Sequence, residues 1–175
     1  MNALQKISIH ATFKTRLTSA NGVFMSVLAY LIPLWGGCEG YLVKALQVLQ
    51  NRAARQVTKL SWFTPSRRLL KQCGWLSIRQ LIFYQSALTV FRAVKTKEPL
   101  YLSEHLITVH PYPTRLAAGG GLRVDGLHGG LASKSFLVRV AKEFNTIPSD
   151  IRLSRSIPSF KKQLKKWTKD NSPLD

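Results

Sequence analysis

Arg52, Arg55 and Lys59 stand three and four residues apart, and a second group of cations, Arg67, Arg68 and Lys71, follows shortly after. On a helix that spacing stacks positive groups along one side. Lys161, Lys162, Lys165 and Lys166 form a further group near the C-terminus. The chemistry open to guanidinium and ammonium groups in such arrays is neutralisation of phosphates, since each contact releases condensed counterions and none reads a base. No acid occurs between Tyr41 and Lys97, so the first two groups have no carboxylate in their own segment to pair with. For Arg52, Arg55 and Lys59 two readings stay open: a solvated helix face and a ridge that tracks phosphates.

Other chemistry is poorly served. The acids, Glu39, Glu98, Glu104, Asp125, Glu143, Asp150, Asp170 and Asp175, include no close pair of the kind that holds two metal ions roughly 4 Å apart for phosphoryl transfer. His10, His105, His110 and His128 lack a metal-ligand spacing, and Cys38 and Cys73 are isolated. No metal site, no cofactor and no catalytic residue is therefore expected. The two cysteines read as buried small hydrophobes in a reducing compartment, which favours an intracellular location, nucleus or cytoplasm. Gly119-Gly120-Gly121 lacks the Gly-Lys-Ser/Thr ending of a phosphate loop, and no nucleophile-elbow or dinucleotide motif is present.

The 175 residues carry 26 Lys plus Arg against 8 Asp plus Glu, a formal charge of +18, with 45% hydrophobic residues. That apolar content excludes a disordered tail and is enough for a core without metal or disulfide staples. Residues 1–97 hold 14 of the bases and a single acid, Glu39. Such a surplus repels itself on compaction, and a polyanion relieves it, which makes nucleic acid the first candidate partner. The most apolar run, Val23 to Trp35, is 13 residues long and contains Pro33, whereas a membrane-spanning helix needs about 20. It reads as a buried helix, so no integral membrane segment is expected.

The elements that must position these groups are helices. Phe13, Leu17, Val23, Val27, Leu31 and Leu34 supply apolar positions on either side of Gly22, for two short helices or one interrupted one, closed by Pro33 and Gly36-Gly37. From Tyr41 to Leu60, the stripe Leu42, Leu46, Leu49, Ala53, Val57 and Leu60 predicts a helix buried on that face. Thr64-Pro65 opens a short helix that Gly74 ends, and Ser77 with Gln80 forms a capping box for a long, nearly all-apolar helix running to Pro99. Trp75 reads as a staple on that helix. Glycines and prolines break up the stretch to about Ser133, a helix follows to Phe144, and Asn145 to Asp150 turns at Pro148. From Ser159 to Lys169, Phe160, Leu164 and Trp167 make the apolar face of a basic amphipathic helix, for which core docking, an anionic membrane or nucleic acid compete.

The expected fold is therefore mainly α: a helical bundle with an irregular Gly/Pro-rich segment and a C-terminal basic amphipathic helix. It divides into a helical domain over 1–98, an irregular connector over 99–132 and a C-terminal helical extension over 133–175.

Several of these segments, in order, resemble the region downstream of the catalytic palm in reverse transcriptases of non-LTR (LINE-type) retrotransposons. They are Phe13 to Arg16 (FKTR), Ser26 to Cys38 (SVLAYLIPLWGGC), Leu46 to Lys59 (LQVLQNRAARQVTK) and Gly74 to Leu81 (GWLSIRQL), followed by Pro99 to Leu102, Tyr112 to Arg115 (YPTR), Ser135 to Arg152 and Ser159 to Trp167. Phe144 stands where the family often has Trp before the Asn matched by Asn145. The resemblance implies that residues 1–98 are a thumb, a helical bundle that grips a primer and template duplex by its backbone. It also implies that the family's paired catalytic aspartates lie upstream of such a region and outside these residues. The expectation is a non-catalytic fragment of an RNA-directed DNA polymerase that binds RNA, DNA or hybrid through phosphates, with a polymerase palm as a possible protein partner. Two alternatives are an inert structural remnant without a partner and a peripheral binder of anionic membranes through Phe160, Leu164 and Trp167.

Overall fold

A computed structural model of the chain describes residues 11–30, 32–38, 40–106, 114–123 and 136–171, which are helical with turns and contain no strand. Contacts divide the chain into two compact units, residues 1–32 with 38–81 and residues 33–37 with 82–175. The division falls inside a helix, at 81/82, and not at the composition change near 98.

The first unit opens with α1 (Phe13–Ala20), whose N-cap Thr12 accepts a hydrogen bond from the Thr15 amide through its side chain. A widened π-helical turn, Asn21–Met25, leads straight into α2 (Ser26–Ala29), so the segment is one interrupted helix. A short α3 (Ile32–Trp35) follows and carries Pro33 in its first turn, where a missing N–H costs nothing. The Val23–Trp35 run is not buried throughout. Leu28 and Ile32 are buried, but Val23, Val27 and Tyr30 form an outward stripe at spacings of four and three, the last two 71% exposed.

The long α4 (Gly40–Thr58) buries Val43, Gln50, Ala53, Ala54, Val57 and Thr58. Ala53 and Val57 of the expected stripe are buried as read, but Leu42 and Leu49 stay exposed, so the core face is rotated over the first half of the helix. Small residues replace large ones where helices crowd α4: Ala53 and Ala54 share a core with Ala20, Leu69, Leu70, Cys73 and Trp75. The polar Gln50 is tolerated there because both ends of its side-chain amide are hydrogen-bonded. Its Nε2 donates to the Leu76 carbonyl at 2.9 Å, and its Oε1 accepts from Gln47 Nε2 at 2.9 Å. Gln47 Oε1 in turn accepts the Ile78 amide, one of the unpaired donors at the start of the next long helix. Gln50→Ala should therefore cost about 1 to 3 kcal/mol by leaving the buried Leu76 carbonyl without its donor, measured as a shift in urea midpoint at constant m-value.

The next helix, α5 (Ser66–Cys73), begins one residue later than the sequence implies, with Pro65 and not Thr64 as N-cap. Gly74 ends it at φ 69°, with its amide bonded to the Lys71 carbonyl and the Trp75 amide to the Leu70 carbonyl. That pairing is a Schellman closure, and buried Leu70 and Trp75 supply its apolar contact. An added Cβ at Gly74 would meet nothing within 4 Å, so Gly74→Ala isolates the backbone cost of the left-handed conformation. We expect a loss of about 1 kcal/mol, seen as a drop of several degrees in Tm.

The capping box forms as read: the Ser77 amide donates to Gln80 Oε1 at 3.0 Å and the Gln80 amide to Ser77 Oγ at 3.3 Å. It opens α6 (Ile78–Thr96), buried on most sides as a central helix must be. In the second unit α6 is followed by α7 (Leu100–His105) and α8 (Arg115–Ala118), then α9 (Phe136–Asn145), α10 (Ser149–Arg152) and α11 (Ile157–Asp170). Phe160 and Leu164 of α11 are fully buried. Phe160 stacks on Phe91 with ring centres 3.9 Å apart, and Trp167 lies 5.7 Å from Phe83. Asn145 ties the glycine segment to α9, accepting the Leu122 amide through Oδ1 and donating Nδ2 to the Leu122 carbonyl, both at 2.8 Å. The glycine triplet has a packing role: Gly120 closes α8 at φ 65°, and a Cβ on Gly121 would collide with the Leu116 side chain.

Candidate nucleic-acid interface

In the first unit α4 and α5 pack against each other, and their buried faces leave the cations outside. Arg52 and Lys59 of the α4 segment and Arg67, Arg68 and Lys71 of α5 are exposed, while Arg55 is half-buried. With apolar and amide side chains on the inner faces and no carboxylate in either helix, these cations have no acid of their own elements to neutralise them. Lys59 stands one residue beyond α4 at φ 54°, its amide still bonded to the Arg55 carbonyl. Arg16, by contrast, is used structurally, donating Nε to the Val57 carbonyl at 2.8 Å at the C-terminal end of α4, where a cation suits the helix dipole.

Between the two helices lies a feature absent from the sequence expectation. The Thr64 amide donates to the Ser61 carbonyl at 3.0 Å, closing a turn whose two central residues are Trp62 and Phe63. Both are exposed. The Arg55 guanidinium sits over the Trp62 ring, 4.7 Å from its centre. The other tryptophan of this region behaves oppositely. Trp75 is buried, and its indole N–H donates to Asn21 Oδ1 at 2.8 Å, so it is a core residue bridging to the α1 segment. Trp62 and Phe63 escape periodicity arguments because a turn has no period. The signal available was two large aromatics directly before Thr64-Pro65, where turn-forming residues are usual.

In the second unit Lys161, Lys162, Lys165 and Lys166 are all exposed on α11, opposite Phe160 and Leu164. Of the three fates open to this helix, its apolar face takes core docking, which leaves no broad apolar surface on α11 for a bilayer. No helix among the described residues is long and apolar enough to cross a membrane.

Among the described residues no three His, Cys, Asp or Glu side chains come together to hold a metal ion. His10, His110, His128 and Asp125 lie outside the described residues. Cys73 is buried, which pushes its thiol up to about 11, whereas Cys38 is only half-buried, unlike the expectation for it. At pH 8 a thiol reagent should modify Cys38 in the native protein and reach Cys73 only on unfolding; equal rates for the two would contradict the packing of α5.

No family model, curated protein or solved structure matches this chain.

Proposed function

We propose that the chain binds nucleic acid through its sugar-phosphate backbone, without base-sequence preference and without chemistry of its own, in the manner of a thumb of a non-LTR retrotransposon-type reverse transcriptase. The observation that carries this reading is the outward placement of Arg52, Lys59, Arg67, Arg68 and Lys71 on two mutually packed helix segments that contain no carboxylate. Lys161, Lys162, Lys165 and Lys166 make a second patch of the same character on α11. The ordered sequence segments add the polymerase context, in which a palm is the protein partner.

The test is a salt titration. If about 6 to 10 phosphates are contacted, affinity for a duplex falls by roughly three to five powers of ten between 50 and 200 mM salt. Unrelated sequences of one duplex type should bind alike, because phosphates carry no sequence information. A flat titration, or a strong preference for one oligonucleotide, overturns the proposal.

The exposed stripe Val23, Val27 and Tyr30, with Tyr41 and Val48 on α4, favours a second reading: a structural remnant whose apolar surface has lost its cover. Gel filtration at high salt separates the two. A remnant self-associates once its charge is screened, whereas a binder releases its ligand and stays monodisperse.

A further inference from the structure

We propose that Trp62 and Phe63 form a stacking platform for unpaired nucleobases, so that the basic surface of the first unit prefers single-stranded nucleic acid, or the frayed end of a duplex, over a continuous duplex. This rests on the backbone-binding reading and adds to it the strandedness of the ligand.

Two large aromatic side chains at the centre of a tight turn are costly to leave in water, yet Trp62 is 68% exposed and Phe63 92% exposed. Apart from the Arg55 guanidinium over Trp62, no side chain among the described residues of the unit shields them from solvent, and they are neighbours at the tip of the Ser61–Thr64 turn. Their surroundings state the charge of the missing cover. The turn joins the cationic end of α4, Arg55 and Lys59, to the cationic start of α5, Arg67 and Arg68. A protein surface bearing carboxylates would satisfy those charges, and a lipid tail would satisfy the rings. A nucleotide strand satisfies both at one spacing, because every unpaired base carries a π-face beside its phosphate. Arg55 strengthens the match. It already lies on one face of the Trp62 indole at 4.7 Å, which orients the ring and leaves its other face to a base, in a cation, indole and base stack. Bases inside a continuous duplex keep their faces on each other and offer the platform nothing.

The experiment measures fluorescence anisotropy of a labelled 12-nucleotide DNA strand, the same strand as RNA, and a blunt duplex closed at both ends by G·C pairs and compared per phosphate. Each is titrated with wild type, Trp62→Ala/Phe63→Ala, Trp62→Phe and Trp62→Leu. Each lost base stack is expected to weaken single-strand binding by about 5- to 150-fold. DNA and RNA strands should suffer alike, affinity for the blunt duplex should stay within about twofold, and the salt slope should hold, since no cation is removed. Trp62→Phe should keep most of the affinity that Trp62→Leu loses, because leucine retains apolar area without a π-face. As both residues are exposed, circular dichroism should report an unchanged fold. If the double variant binds strands as wild type does while the salt slope remains steep, the platform is wrong and the backbone reading stands. A flat slope in wild type removes both. If instead the double variant keeps its nucleic-acid affinity and loses binding to phosphatidylserine vesicles, the turn is a membrane anchor and the platform is overturned.

Discussion

Replacing Arg52, Arg67, Arg68 and Lys71 together by glutamine is expected to weaken binding to a duplex by about three powers of ten at 0.1 M salt. The slope of log affinity against log salt should become shallower by about 3 to 4, close to one unit for each phosphate contact removed. These four are chosen because all are exposed on α4 and α5 and none closes a helix or holds an aromatic ring, whereas Lys59 ends α4 and Arg55 lies on Trp62. Glutamine keeps a polar, helix-compatible side chain, so stability should hold or rise as self-repulsion is relieved. The measurement is a pair of titrations at several salt concentrations. A variant with wild-type slope would mean that the ligand, if any, sits elsewhere. The parallel change of Lys161, Lys162, Lys165 and Lys166 reports separately on the α11 patch.

Phe160→Ala should be the most destabilising single change in the second unit, at about 3 to 5 kcal/mol. Phe160 is fully buried, stacks on Phe91 at 3.9 Å and lies 6.3 Å from Phe144, so truncation removes one ring from a cluster of three and leaves a cavity between α6, α9 and α11. Urea unfolding followed by circular dichroism measures it. A cost below about 1 kcal/mol would show that α11 does not hold to this core, and the apolar face of α11 would again be free for another surface.

Signals that are local and stereochemical were legible in the sequence. The Ser77 and Gln80 box, the Gly74 closure and the apolar face of α11 each rest on one or two residue types whose geometry is fixed by the backbone or by a clean period. The face of α4 was legible only in its C-terminal half, where Ala53 and Val57 of the expected stripe are buried; towards its start the period marks large apolar residues that stay exposed. Val43 and Ala54, outside that stripe, are buried while Leu42 and Leu49 are not, and Gln50 entered the core through amide bonds no period records. The cations of the candidate site were legible by spacing. Their outward orientation followed from the rotated core of α4, and the aromatic turn beside them carried no pattern at all. Asn145 illustrates a further limit: its clamp on Leu122 joins residues 23 apart in sequence, and nothing local to either announces it.

Because α4 and α5 fold against each other without a carboxylate in either, bringing them together gathers like charge. Added salt screens that repulsion and should raise the first unit's melting temperature. The same ions compete for any polyanion and loosen its capture. Salt thus acts on folding and on ligand capture with opposite sign, and a bound polyanion should itself behave as a conformational stabiliser, shielding the two helices from one another's charge.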